Sequence, residues 1–144
     1  MTVKPADIND LPFLKEAEKI FPDPYSEKIL ASHLRGESNR TLTLWENDTP
    51  VGYLLGNVIP PEGEVYRVAV LPAYRSRGGG TMLLAAFLRE VSLCYLEVRA
   101  SNLAAKRLYE KMGFTLCGRR KNYYQNPAED ALIYQKNSSS TESD

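Results

Sequence analysis

The most constraining feature of the chain is a strand pattern followed by a glycine-rich turn, a helix pattern and a second strand. EVYRVAVLP (64–72) has the composition of a strand, and Pro72 ends it by withholding an amide proton. After YRSRGGG, apolar residues recur at helical spacing, and CYLEVRAS (94–101) is again a strand. Such a βαβ unit nearly always has parallel strands and a right-handed crossover. The sequence therefore predicts an α/β fold.

Shorter predicted elements flank this unit on both sides. Residues 2–5 predict a strand followed by a helix, and a second short helix follows the proline-containing loop 21–26. Residues 41–60 predict a β-hairpin. Another helix is predicted after residue 101 and ends near residue 113. Residues 114–124 and 130–136 then predict two antiparallel strands. The sheet is therefore expected to contain both parallel and antiparallel pairs.

Length and composition fit one domain. The chain has 144 residues, 43% of them apolar, which is enough to bury a core. Its last residues, NSSSTESD, are polar and low in complexity. We predict a single domain over residues 1–136 and a disordered tail over residues 137–144.

Charge and residue usage exclude several classes of function. Basic and acidic residues both total 18, so no sequence-wide field attracts nucleic acid or a membrane surface. There is one histidine, His33, and no cluster of metal-ligand residues, so no metal is predicted. Two distant cysteines, Cys94 and Cys117, fit small core residues with reduced thiols. With no signal peptide pattern and no membrane-length apolar segment, we expect a cytoplasmic protein that binds neither membrane nor nucleic acid directly.

The glycine-rich turn RSRGGGT (75–81) is a candidate anion site. Glycines leave room for a phosphate, and the free amides and dipole of a helix start favour negative charge. A diphosphate is the predicted occupant, and a flexible connection is the alternative. No lysine follows the glycines as a P-loop requires, and Leu83 stands where a dinucleotide fingerprint needs its third glycine.

Glu97 is a carboxylate within a predicted buried strand. Strand alternation places it on one side with Tyr95 and Arg99, while Leu96 and Val98 point the other way. Two charges on one side indicate a face open to a cleft, where Glu97 could act as a general base. A surface pair between Glu97 and Arg99 on an edge strand is an equally weighted alternative from the pattern alone.

Tyr109 lies seven residues after Asn102, about two helical turns, so both can project from one side of a helix. Ser101 or Asn102 can cap that helix. The pattern alone favours a core tyrosine whose hydroxyl binds backbone.

Two stretches taken together resemble a known family. VAVLPAYRSRGGGTMLL and LEVRASNLAAKRLYEKMGF are similar to the GNAT superfamily of N-acetyltransferases, and the resemblance covers most of the chain. FPDPYSEKIL and RRKNYYQNPAEDALIYQK resemble the bacterial RimI group, which acetylates the N-terminal alanine of small-subunit ribosomal protein eighteen. The resemblance implies a central mixed, mostly antiparallel sheet with a splayed parallel strand pair and helices on both faces.

The resemblance also implies a reaction and its residues. Acetyl-CoA is the expected co-substrate, a ribosomal protein N-terminus the expected acceptor, and transfer is direct within a ternary complex. Glu97 matches the general base and Tyr109 the general acid. A monomer or weak dimer is expected. The residues matching the cofactor site are Val68, Ala69, Val70, Ser76, Arg77, Gly78, Gly79, Gly80, Thr81 and Asn102.

Two departures from the RimI pattern leave alternatives open. Only fifteen residues separate Thr81 from Glu97, which shortens the helix between them. The loop FPDPYS carries Tyr25 where relatives commonly have a tryptophan after the proline. The alternatives are a GNAT enzyme that acetylates a small-molecule amine and a non-catalytic acyl-CoA-binding module.

Overall fold

The computed structural model describes residues 1–138 as a seven-stranded sheet with four α-helices. The strands are β1 Thr2–Pro5, β2 Asn39–Glu46, β3 Thr49–Ile59, β4 Glu62–Val70, β5 Leu93–Arg99, β6 Thr115–Tyr124 and β7 Glu129–Asn137. Their order across the sheet is β1-β2-β3-β4-β5-β7-β6. Only β4 and β5 pair in parallel among these neighbours, so the predicted mixed, mostly antiparallel sheet is confirmed.

Two of the four helices begin at a residue whose side chain caps them. They are α1 Leu11–Ala17, α2 Glu27–Arg35, α3 Gly79–Leu88 and α4 Leu103–Lys111. The Ser26 side chain accepts a hydrogen bond from the Ile29 amide at the start of α2, and Asn102 accepts one from the Ala105 amide at the start of α4. Gly113 follows the last helix with φ of 93°, a left-handed backbone conformation that favours glycine.

The helices cover both faces of the sheet. One apolar cluster lies between the sheet and α3 and α4, and a smaller one lies beneath α1 and α2. The short α3 packs completely, since Leu83, Leu84 and Phe87 have no exposed surface. The core is therefore closed even though this helix is short.

Strand β4 contains a bulge that the sequence pattern does not show. Leu55 pairs with Arg67 while the next residue, Gly56, pairs with Val65, so Tyr66 is an extra residue. Strict alternation predicts that Val65, Arg67, Ala69 and Leu71 share a face, and this prediction is wrong for Val65. Val65 instead joins the α3 cluster, as do Val68 and Val70, while Arg67 and Ala69 face α1 and α2.

The parallel strands β4 and β5 separate soon after they meet. Their pairing runs from Glu62 with Leu93 to Val65 with Leu96 and then stops. The remaining residues of each strand diverge, which gives the splayed pair that the family resemblance implies. Glu97 is the first residue of β5 beyond the last pair.

The end of the domain lies slightly beyond the predicted boundary. Strand β7 includes Asn137, and the Ser138 amide donates to the Ser92 carbonyl, so residues 137 and 138 belong to the fold. The rest of the predicted tail, 139–144, lies outside the described residues. Both cysteines are free; Cys94 is buried as expected, but Cys117 is exposed on β6, so its predicted core position is wrong. Across residues 1–138, no helix has the length and apolarity needed to span a bilayer.

Candidate active site

A cleft of about 750 Å³ runs along the splay between β4 and β5. One end lies at the glycine-rich turn and the start of α3, and the other reaches the loop between α1 and α2. Its lining includes nine of the ten predicted cofactor residues: Val68, Ala69, Val70, Ser76, Gly78, Gly79, Gly80, Thr81 and Asn102. Tyr109 also lines the cleft. Residues far apart in the sequence thus meet along one continuous surface.

The glycine-rich turn has the backbone of an anion cradle. Gly78 has φ of 83° immediately before α3, a left-handed conformation that favours glycine. A Cβ at this position would meet no atom within 4 Å, so the turn faces open space rather than protein. The free amides at the start of a ten-residue helix point into that space. This geometry fits a diphosphate.

The exposed edge of β4 forms one wall of the cleft. Beyond Val65, no strand within residues 1–138 pairs with this edge, so its backbone can bond to an extended ligand arm. The Val70 carbonyl is already engaged, because it accepts a hydrogen bond from Arg75 Nε at 3.0 Å. Because the Leu71 amide bonds the Val51 carbonyl of β3, strand alternation directs the Ala69 backbone to β3 and leaves the backbone groups of Val68 and Val70 on the open edge.

Arg77, the tenth predicted cofactor residue, points away from the cleft. Its guanidinium bonds both carboxylate oxygens of Glu46, at 3.0 and 3.2 Å. The cleft is lined instead by Arg75, Arg107 and Lys111. Helical spacing places Arg107 and Lys111 on one side of α4, but the sequence gives no reason to join them to the glycine turn.

Glu97 lies on the α1 and α2 side of the sheet, directly after the last pair between β4 and β5. Its carboxylate pairs with Arg120 Nε at 3.2 Å, and 23% of its side chain is exposed. The alternative edge-strand pair with Arg99 is excluded, since β5 lies between β4 and β7 and Arg99 bonds other partners. Glu97 is not among the residues that line the cleft, whereas Arg99, two residues later on the same face of β5, is.

A second carboxylate, Glu64, shares this side of the sheet. It lies on β4 opposite Tyr95, two residues before Glu97 on the neighbouring strand. Burial and the charge of Glu97 raise the pKa of Glu64, while Arg120 lowers it. No motif in the sequence points to Glu64, although strand alternation directs its side chain away from the face that Val65 occupies.

Tyr109 approaches the splay from the opposite side. Its ring is 6% exposed and packs against Phe114 and Tyr134. Burial, followed by the neighbouring Tyr124 and Cys94, raises the pKa of its hydroxyl above the ordinary range. Within residues 1–138, no protein group hydrogen-bonds this hydroxyl, so it has no backbone partner of the kind expected for a purely structural tyrosine.

Similarity to known proteins agrees with this arrangement. The sequence pattern of the "Acetyltransferase (GNAT) family" matches residues 8–114. The chain belongs to this family. It is therefore an acyltransferase with the GNAT fold, in which the glycine turn, the splay and α4 lie within or next to the matched segment.

Several GNAT proteins are similar over nearly the whole chain. The [Ribosomal protein bS18]-alanine N-acetyltransferase of Escherichia coli K12 is 35% identical over 140 residues, covering 92% of this chain and 94% of that protein. The enzyme of the same name from Haemophilus influenzae is 36% identical over 118 residues, covering 76% and 80%. The crystal structure of the E. coli ribosomal-protein-S18-alanine N-acetyltransferase matches with a TM-score of 0.87 at 34% identity, covering 94% and 92%.

A more distant solved structure contains a bisubstrate analogue. Arabidopsis thaliana Naa50 was solved with the bisubstrate analogue CoA-Ac-MVNAL, and it matches with a TM-score of 0.79 at 26% identity, covering 94% of this chain and 97% of that chain. Within the described residues of the present GNAT chain, no group of three or more His, Cys, Asp or Glu side chains is arranged to hold a metal ion.

Proposed function

We propose that the protein transfers an acetyl group from acetyl-CoA to the N-terminal alanine of the small-subunit ribosomal protein bS18. The observation that carries this proposal is the cleft that joins a glycine-rich turn to a splayed strand edge and reaches Arg99, two residues from Glu97 on the same face of β5. The names of the E. coli and H. influenzae relatives support the choice of acceptor.

The donor half of the cleft suits the chemistry of coenzyme A. The start of α3 and the turn at Gly78 offer amides to a diphosphate, and the open edge of β4 offers backbone groups to the pantetheine arm. When bound, acetyl-CoA supplies an acetyl group activated as a thioester. Asn102 lies at the same wall, although its side-chain oxygen already caps α4.

Glu97 is assigned the role of general base. The acceptor amine must lose a proton before it attacks the thioester carbon. An α-amine with a pKa near 8 is already about one-tenth neutral at pH 7, so the base has a modest task. Arg120 holds the Glu97 carboxylate in place, and the proton moves to it directly or through one water molecule.

Tyr109 is assigned the role of general acid. Its raised pKa keeps the hydroxyl protonated at neutral pH, and the hydroxyl has no protein partner in residues 1–138. It can therefore donate a hydrogen bond to the departing thiolate. Neither cysteine suits an acyl carrier, since burial raises the pKa of Cys94 to about 12 and Cys117 lies outside the cleft. Direct transfer in a ternary complex follows.

The experiment measures CoA release with acetyl-CoA and a peptide copying the bS18 N-terminus. We expect Glu97→Gln to lower kcat by about 10²-fold to 10⁴-fold and to leave acetyl-CoA affinity unchanged. Glu16→Gln is the matched control, because Glu16 is an exposed carboxylate paired with Lys19 on α1.

A peptide blocked at its α-amine should give no turnover. Turnover with small amines but not with the peptide would contradict the proposed acceptor. Unchanged turnover in Glu97→Gln would contradict the proposed base.

A further inference from the structure

The loop between α1 and α2 is attached to the sheet through Arg67. The Arg67 guanidinium lies between the rings of Phe21 and Tyr25, at 4.0 and 4.3 Å from their centroids. It also bonds Glu18 Oε1 at 2.5 Å, and only 11% of the Arg67 side chain is exposed. Both ends of the loop therefore contact one residue of β4.

Glu18 holds this attachment in a fixed position. It is 1% exposed, and it accepts hydrogen bonds from the Tyr53 hydroxyl and from the Tyr25 amide, the latter at 2.6 Å. A buried carboxylate with three donors is held in one position. The loop therefore has little freedom where it meets the sheet.

Arg99 holds the turn between β6 and β7 in a similar way. It donates to the carbonyls of Gln125 and Pro127, each at 3.0 Å, and bonds the Glu129 carboxylate at 3.2 Å. Its guanidinium also lies 4.5 Å from the centroid of the Tyr124 ring. This turn is thus attached to β5, just as the other loop is attached to β4.

Asp23 connects the two attachments. Its two carboxylate oxygens each lie 3.5 Å from an arginine, Oδ1 from Arg67 and Oδ2 from Arg99. Arg67 and Arg99 belong to β4 and β5 beyond the last backbone pair between those strands. Asp23 therefore joins the strands where the sheet itself does not.

We propose that Asp23 is a positioning residue that couples the two loops into one rigid frame for the acceptor N-terminus. This inference rests on the proposed function, because it assumes that the end of the cleft near the loop receives the acceptor. Phe21, Pro22 and Arg99 line that end of the cleft, so a shift of either loop moves its walls. Asp23 does not line the cleft and takes no part in proton transfer.

The test compares wild type with Asp23→Asn, which keeps the shape of the side chain and removes its charge. Hydrogen exchange should become about threefold to tenfold faster in both segments 20–26 and 122–130, because one ion bridge stabilises both. The KM for the bS18 peptide should rise by about threefold to tenfold, while kcat and acetyl-CoA affinity stay unchanged. Asp23→Glu should restore part of both properties.

Asp48→Asn is the matched control, since Asp48 is an exposed carboxylate in the β2–β3 turn. It should change neither exchange nor KM. Faster exchange in segment 20–26 alone, or equal changes in peptide KM and acetyl-CoA affinity, would overturn the inference. If the two segments respond together but wild type acetylates no peptide, the coupling holds and the proposed acceptor is wrong.

Discussion

The two halves of the cleft differ in the groups that form them: backbone in one half and side chains in the other. The donor half consists of backbone: a left-handed glycine, the amides that begin α3 and the unpaired edge of β4. The acceptor half consists of side chains, with Glu18, Arg67, Asp23 and Arg99 forming a connected set of ion pairs. A backbone site tolerates side-chain changes that preserve its dihedral angles, whereas a side-chain site depends on each partner being present.

The largest expected effect comes from removing one partner in the acceptor half. Arg67→Met leaves the Glu18 carboxylate buried without its cation, so we expect the free energy of unfolding to fall by about 3–5 kcal/mol. Chemical denaturation measures the change. Lys19→Met is the control: it breaks an exposed pair with Glu16, where we expect less than about 1 kcal/mol. Equal effects in the two variants would show that the buried pair does not stabilise this half.

An intermediate effect is expected from a substitution that strains the backbone of the donor half. Gly78→Val introduces a β-branched residue at φ of 83° with no steric contact from the protein, so the change acts through the backbone. We expect acetyl-CoA affinity to fall by about tenfold, corresponding to about 1.4 kcal/mol of strain. Calorimetry with acetyl-CoA checks this.

Gly118→Ala controls for the loss of a glycine elsewhere, since Gly118 lies on β6 with ordinary backbone angles. It should leave acetyl-CoA affinity unaltered. Wild-type affinity in Gly78→Val would indicate that the turn does not bind the donor.

The smallest expected effect separates two exposed arginines in the donor half. Arg107 lines the cleft, whereas Arg77 bonds Glu46 outside it. Arg107→Ala should weaken acetyl-CoA binding by about twofold to fivefold, as for other solvent-exposed charge pairs, and Arg77→Ala should not change it. A larger loss in Arg77→Ala would restore the sequence-based assignment of Arg77.

The contrast between the halves also explains which features could be predicted from the sequence. The βαβ unit, the glycine turn and the cap at Asn102 are local, because neighbouring residues determine their backbone. The partners of Glu18 are not local: Arg67 is 49 positions away and Tyr53 is 35 away, so only the fold brings them together. Glu97 was placed on the correct face by alternation, but its partner Arg120 comes from another strand.

Alternation failed only where an irregularity interrupts it. The bulge at Tyr66 depends on the pairing of β4 with β3, and a single strand sequence carries no information about its partner's register. Arg67 was consequently expected beside Val65, and its contacts with the α1–α2 loop could not be foreseen.

The bulge at Tyr66 has a consequence for how such enzymes can change during evolution. Because one extra residue sets the frame of the strand, side chains at odd-numbered positions after it face α1 and α2, and those at even-numbered positions face α3 and α4. Substitutions on one side can therefore accumulate without disturbing the other. A deletion of one residue would move the side chains of each face to the opposite face. Related enzymes should therefore differ by substitutions in this strand while keeping the length of β4 constant.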